Sequence, residues 1–304
     1  MSFLRITLFG CVRVTHNNWL TVVELTREIQ ALLAYLLLQR HRVHSREVLA
    51  ELFWGDYGQE RARGSLNTAL WKLRKALEPA GIPAGTYVKN SHSGEVSFNK
   101  DSQYWLDVEV FEAEISHILT YPFQTVGESH AVDLEKILAL YKGELLEGFY
   151  EDWALRERER LRTLYLKSLV YLLQYHGFHK SYERAIAYGQ QILDLDPLRE
   201  EVHREMMRLY LENGQRTRAL RQYEIFRRVL DEEFGISPME DTQLLYAQIF
   251  IKVDNSRTHV ISKEKISFDQ AIGQLREADK AINLAKEQIQ HALHLIAKYS
   301  EHPD

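Results

Sequence analysis

Residues Arg61 to Pro79, RARGSLNTALWKLRKALEP, can bury only one side. Leu66, Leu70, Leu73 and Leu77 recur at spacings of four, three and four, so on a helix they stack into a single apolar stripe. The other sides carry Arg61, Arg63, Asn67, Thr68, Trp71, Lys72, Arg74 and Lys75, and no acid lies between Arg61 and Leu77. Pro79, Gly81, Pro83 and Gly85 end the pattern. A basic surface helix is usually a solvated face. Its setting, after a short helix and before a β-hairpin, is that of a helix offered to the major groove of DNA.

The segments before it support that setting. Leu4, Ile6 and Leu8, then Val12 and Val14, then Leu20, Val22, Val23 and Leu25 form three short strand-like bursts. Ile29, Leu32, Leu33, Leu36 and Leu37 follow the 3.6 period of a first helix over 28–40. Ser45 is placed to cap a second helix that uses Val48, Leu49, Leu52 and Phe53. Trp54 to Gly58 interrupt the helical pattern. After the basic helix, Tyr87-Val88-Lys89 and Val96-Ser97-Phe98 flank the polar tip Asn90 to Gly94, which predicts a hairpin. Strands, three helices and a terminal hairpin make a winged helix-turn-helix.

Charge is distributed to match. Residues 1–100 hold 13 Lys and Arg against 8 Asp and Glu, whereas the other 204 hold 25 against 35. A basic head on an acidic body suits a polyanion-binding module whose remainder should not cling to the polyanion. One cysteine, Cys11, excludes an internal disulfide framework and gives no reason to leave the cytosol. No apolar run nears the roughly 20 residues that span a bilayer, and the N-terminus lacks a signal-peptide pattern.

From about Leu106 to Ile251 the pattern is helical. Ala185 and Ala219 are 34 residues apart, the tetratricopeptide period. Gly214, Ala219, Tyr223 and Phe226 fall on small and aromatic positions of one repeat, with Ala185 and Pro197 in the repeat before. Two repeats cannot stand alone, so flanking helices near 133–146 and 153–175 are expected to complete the stack. Arg156-Glu157-Arg158-Glu159-Arg160 reads as a solvated helix of alternating charge.

Residues 252–264 are polar and aperiodic, as in a linker. In 265–304, Phe268, Leu275, Ile282, Ile289 and Ile296 recur every seven residues, with Ala271, Ala278, Ala285, Ala292 and Tyr299 three after each. This heptad predicts an amphipathic helix about 50 Å long. Its seam can pair with a second chain or pack on its own helical domain; self-association is the expectation. The domains expected are thus 1–100, 101–251, the linker 252–264 and the heptad helix 265–304. The fold class is mainly α, with an α+β winged helix at the N-terminus.

A DNA-reading helix needs cations for phosphates and groups that meet base edges. Lys72 sits centrally and can bond guanine O6 or N7, while Asn67 and Thr68, one turn earlier, suit adenine or a thymine methyl. Arg61, Arg63, Arg74 and Lys75 lie toward the ends and flanks, where phosphates run. Trp71 can pack on sugar and backbone or on the hairpin. Lys89, Asn90, Ser91 and His92 are the wing candidates. No phosphate loop, dinucleotide fingerprint or nucleophile elbow occurs, so no enzyme and no cofactor is expected. The pairs His41/His44, His176/His179 and His291/His294 lack further ligands at zinc spacing, and no metal is expected.

Leu4-Arg5-Ile6-Thr7-Leu8-Phe9-Gly10, Leu70 to Leu77 (LWKLRKAL), Leu106-Asp107-Val108 with Phe111, Tyr141 to Leu146, Trp153 and Arg208 to Pro238 together carry a resemblance. Over Leu4 to Ile251 the chain resembles the antibiotic-regulatory-protein (SARP-type) transcriptional activators. These join an OmpR-type winged helix to a bacterial transcriptional activator domain of tetratricopeptide-like helices. The resemblance implies a cytoplasmic activator that binds direct repeats in double-stranded DNA as a homodimer and recruits RNA polymerase. It places base-facing roles on Ser65, Thr68 and Lys72, and backbone roles on Arg74 and Trp71. Two departures stand out: tryptophan at 71, where a basic residue is common, and Ser93-Gly94-Glu95-Val96 at the wing tip in place of glycine-glycine-tyrosine. A competing reading is a tetratricopeptide-like scaffold whose groove holds a peptide or small molecule, with DNA secondary.

Overall fold

A computed structural model describes residues 3–16, 21–91 and 94–257, together with Lys286. Two compact units divide at Tyr246, the first comprising residues 1–246. Within it, β1 (Leu4–Thr7), β2 (Arg13–His16) and β3 (Thr21–Val22) form an antiparallel ribbon. Helix α1 (Arg27–Leu38) follows, and α2 (Arg46–Trp54) begins where the Ser45 hydroxyl accepts the Val48 N–H at 3.2 Å, the capping bond expected of it. A single 3-10 turn at Gly55–Tyr57 leads into α3 (Gln59–Leu77), the basic helix, which starts two residues earlier than the leucine pattern alone suggested. All four seam leucines are buried, against α1 and α2. The hairpin is β4 (Val88–Asn90) paired with β5 (Val96–Phe98).

The head does not end at residue 100. Strand β6 (Tyr104–Leu106) lies parallel to β1, giving a sheet of order β3-β2-β1-β6. A parallel pair needs a long crossover, and here the whole winged helix supplies it. Leu106 then passes straight into α4 (Asp107–Ile118). The Asp107 carboxylate, buried, accepts the backbone N–H of Leu8 (2.9 Å), Phe9 (3.0 Å) and Val108 (2.8 Å). Burial pushes this carboxyl up to about 6, against the opposing pull of those N–H groups.

Helix α5 (Glu128–Leu138) is shorter than the expected 133–146 flanking helix. The reason is tertiary: residues 144–147 turn back to bridge the segment just after β1, with Gly10 N–H to Glu144 O at 2.8 Å and Leu146 N–H to Leu8 O at 2.9 Å. Helices α6 (Asp152–Phe178), α7 (Tyr182–Leu195), α8 (Glu200–Glu212) and α9 (Arg216–Phe234) stack each on the next. Ala185 and Ala219 are fully buried where the repeat requires small residues. Gly189 is another such point, since a Cβ there would stand 2.8 Å from Met206 Cγ. Gly235 ends α9 in the left-handed conformation, φ 65°. Helix α10 (Glu240–Arg257) runs into the stretch read from sequence as a linker, 252–264. The seam Phe268, Leu275, Ile282, Ile289 and Ile296 lies outside the described residues.

One apolar core runs from Leu4 in the head to Leu209 in the body. Phe9 meets Phe111 and Tyr141 at 4.9 Å each, and Trp153 stands edge-on to Tyr35 at 5.3 Å. In the Arg156–Arg160 run, Arg156, Glu159 and Arg160 are exposed, as expected of a solvated face, while Glu157 and Arg158 turn partly inward and help form a joint. Arg158 donates to the carbonyls of Leu145, Leu146 and Phe149, and Arg160 pairs with Glu112 and Glu157. Arg40, nearly buried, closes the same joint through Glu109 (3.1 Å) and Glu112 (3.5 Å). Among the described residues no helix is long and apolar enough to cross a membrane.

Candidate nucleic-acid interface

Burying the leucine seam turns the polar sides of α3 outward. Arg61, Arg63, Asn67, Thr68, Trp71, Lys72 and Lys75 are exposed, and Ser65 and Arg74 are half-buried. At 100° per residue these side chains fall into two stripes. Arg61, Ser65, Thr68 and Lys72 line a groove of about 490 Å³, whose other wall is Thr26, Glu28, Trp54 and Tyr57. The groove is open and lined about equally by polar and apolar surface, and the Lys72 ammonium forms no ion pair among the described residues. Thr68 Oγ1 donates to Gly64 O at 3.0 Å, which leaves its oxygen lone pairs and methyl outward.

The second stripe, Arg63, Asn67 and Arg74, is drawn toward α2 and the hairpin. Arg63 pairs with Glu47 at 3.6 Å, both exposed. Arg74 donates through Nε to Val88 O (3.3 Å) and through Nη2 to Asn90 Oδ1, so it braces the wing. Burial lowers its guanidinium from the ordinary value, Glu78 acts in the opposite sense, and Arg46 lowers it further. Asn67 Oδ1 is held by Arg46 Nη1 at 2.5 Å. Asn67 and Arg74, expected from sequence as a base and a backbone contact, are thus both engaged within the head.

Trp71 is 60% exposed, and its ring carries Lys75 Nζ 5.0 Å from the centroid, a cation–π contact. On the wing, Lys89 pairs with Asp101 at 3.5 Å, Asn90 is held by two arginines, and Ser91 Oγ donates to Glu95 Oε2 at 3.2 Å. His92 lies outside the described residues. The wing strand is itself anchored by a two-way backbone bridge between His44 and Val96, 2.9 and 2.8 Å. Sequence reasoning missed Arg46, although a signal was present: a cation in the first turn of a helix opposes the helix dipole and so calls for another reason.

Of the described histidines in the paired motifs, His44 and His176 are buried and His41 and His179 are exposed. His44 is buried beside Tyr35 at 5.2 Å, and His176 packs flat on Tyr188 with its Nε2 3.3 Å from Glu135. Burial lowers both imidazoles. Among the described residues no cluster of three or more His, Cys, Asp or Glu side chains could hold a metal ion.

Residues 21–93 match the family described as transcriptional regulatory protein, C terminal, and residues 106–250 match the bacterial transcriptional activator domain. A winged helix joined to that helical domain defines a class of transcriptional regulator. Regulatory protein AfsR of Streptomyces coelicolor is 27% identical over 248 residues, 81% of this chain and 24% of that protein. Transcriptional regulatory protein MoaR1 of Mycobacterium tuberculosis is 24% identical over 233 residues, 74% of this chain and 72% of that one. The chain thus carries both domains that define the SARP-type transcriptional regulators, and it spans about a quarter of the length of the AfsR relatives. The structure of Mycobacterium tuberculosis EmbR in complex with a low-affinity phosphopeptide shares the fold, with a TM-score of 0.64 and 21% identity over 83% of this chain and 66% of that one.

Proposed function

We propose that this chain is a cytoplasmic, sequence-specific DNA-binding activator that inserts α3 into the major groove and contacts RNA polymerase. The observation that supports this reading best is the stripe Arg61, Ser65, Thr68 and Lys72 along one side of α3, with Arg61, Thr68 and Lys72 exposed, Ser65 half-buried and no acid between Arg61 and Leu77. Lys72 is the base reader, with Ser65 and Thr68 beside it. Arg61, Arg63, Trp71 and Lys75 supply backbone contacts, and Arg74 contributes less than its charge suggests because the wing holds it. Lys89, Asn90, Ser91 and His92 approach the neighbouring groove. Binding occurs as a homodimer on direct repeats, aided by the seam Phe268, Leu275, Ile282, Ile289 and Ile296. No metal or cofactor takes part.

Selection from random duplexes with the purified chain tests the reading. The expected result is one enriched motif in two half-sites about one helical turn apart, or a multiple of it, with binding that falls steeply as salt rises. Micromolar binding to every duplex with no preferred site would instead favour a scaffold for which DNA is secondary.

A further inference from the structure

Arg46 opens α2 immediately after its capping serine and is half-buried where α2, α3 and the wing converge. Its guanidinium serves all three. Nε donates to Gly94 O at 2.8 Å, Nη1 to Asn67 Oδ1 at 2.5 Å and Nη2 to Asn90 Oδ1 at 3.4 Å. Arg74 reaches the same Asn90 oxygen from α3. Two residues before Arg46, the backbone of His44 pairs with Val96 of the wing. The start of α2 thus sets the wing against the recognition helix, with Arg46 as its side-chain tie.

The tie has a consequence for base reading. An asparagine recognises adenine with both ends of its amide: the oxygen accepts from N6 and the nitrogen donates to N7. Arginine can only donate, so the group facing Arg46 must be the Asn67 oxygen, and the amide nitrogen is the end left over. That oxygen keeps a second lone pair, but a further donor such as the adenine N6 amino group, brought to it, would share the oxygen with a guanidinium and approach that cation, which disfavours adenine. The donor end, by contrast, fits an acceptor edge, guanine O6 or N7 or thymine O4.

We infer that Arg46 is a specificity-determining positioning residue, which engages one lone pair of the Asn67 oxygen, sets a cation beside it and so biases Asn67 away from adenine and toward reading with its amide donor. This rests on the DNA-binding reading proposed above. Arg46 acts on the base only through Asn67, and its hold on the wing keeps that arrangement in place.

Selection from random duplexes by the full chain, by Arg46→Met and by Asn67→Ala tests it. The wild-type chain should disfavour adenine at the base pair under Asn67. Arg46→Met should enrich adenine there by about tenfold, the lower part of the range for a good bidentate contact, and leave the pair under Lys72 unchanged. Asn67→Ala should flatten the preference at that one pair. A merely structural role for Arg46 would weaken all sites alike without changing any base. If Arg46→Met selects the wild-type motif at every position, the inference is overturned while the DNA-binding reading stands. Should Arg46→Met not fold, Asn67→Ala alone decides: an unchanged motif means Asn67 reads nothing, and the inference fails. Absence of any motif with the wild-type chain would instead remove the DNA-binding reading on which the inference depends.

Discussion

Replacing Asp107 with alanine should destabilise the joint between head and body more than any single surface change. Its carboxylate is the acceptor for three backbone N–H groups, those of Leu8, Phe9 and Val108, at 2.8–3.0 Å in a buried site. Each stranded buried donor costs roughly 1–3 kcal/mol, so the loss from three should be on the order of 3–9 kcal/mol. Part of that is offset at neutral pH, because burial raises the carboxyl to about 6 and ionising it inside the protein is unfavourable. The sign follows from linkage. A carboxyl raised above its unfolded value contributes stability that is complete below about pH 3.8 and is lost as pH rises through about 6, some 3 kcal/mol in all. Urea unfolding followed by tryptophan fluorescence, run at pH 5 and pH 7.5 on wild type, Asp107→Ala and Asp107→Asn, measures both effects. The gap between wild type and either variant should be larger at pH 5. A loss below about 1 kcal/mol at both pH values would refute the claim that this carboxylate holds the strand. A gap that widens toward pH 7.5 would mean that the N–H groups outweigh burial.

Further expectations concern separate parts of the chain. Lys72→Ala should relax preference at one base pair at a cost of about 1–3 kcal/mol, read by quantitative binding to single-substitution duplexes; equal weakening of all duplexes would make Lys72 a phosphate contact. Gly189→Val should lower stability by about 1–3 kcal/mol, because its first carbon already meets Met206 Cγ at 2.8 Å; an unchanged unfolding midpoint would show that α7 and α8 can move apart freely. Light scattering should give the full chain a larger mass than a version ending at Lys263, and equal masses would rule out self-association through the heptad seam.

Local pattern carried a large part of this protein. Periodicity located α1, α2 and α3, because burying one helical stripe is a decision made within a few turns. Ser45 capped where its chemistry required, and the 34-residue spacing of Ala185 and Ala219 marked the points of close helix contact. The cationic side of α3 was legible for the same reason: once the leucines are inside, the remaining side chains have nowhere else to go. What local pattern cannot state is which distant segments meet. The parallel pairing of β1 with β6, the return of residues 144–147 to the segment after β1 and the Asp107 carboxylate depend on residues about 100 to 140 positions apart. The same limit governs the interface. Sequence placed Asn67 and Arg74 among the DNA contacts by charge and type, and only the packed structure brought Arg46 and Asn90 against them. Hydrogen bonds of that reach are chosen by the tertiary fold, since they exist only after separate helices have packed.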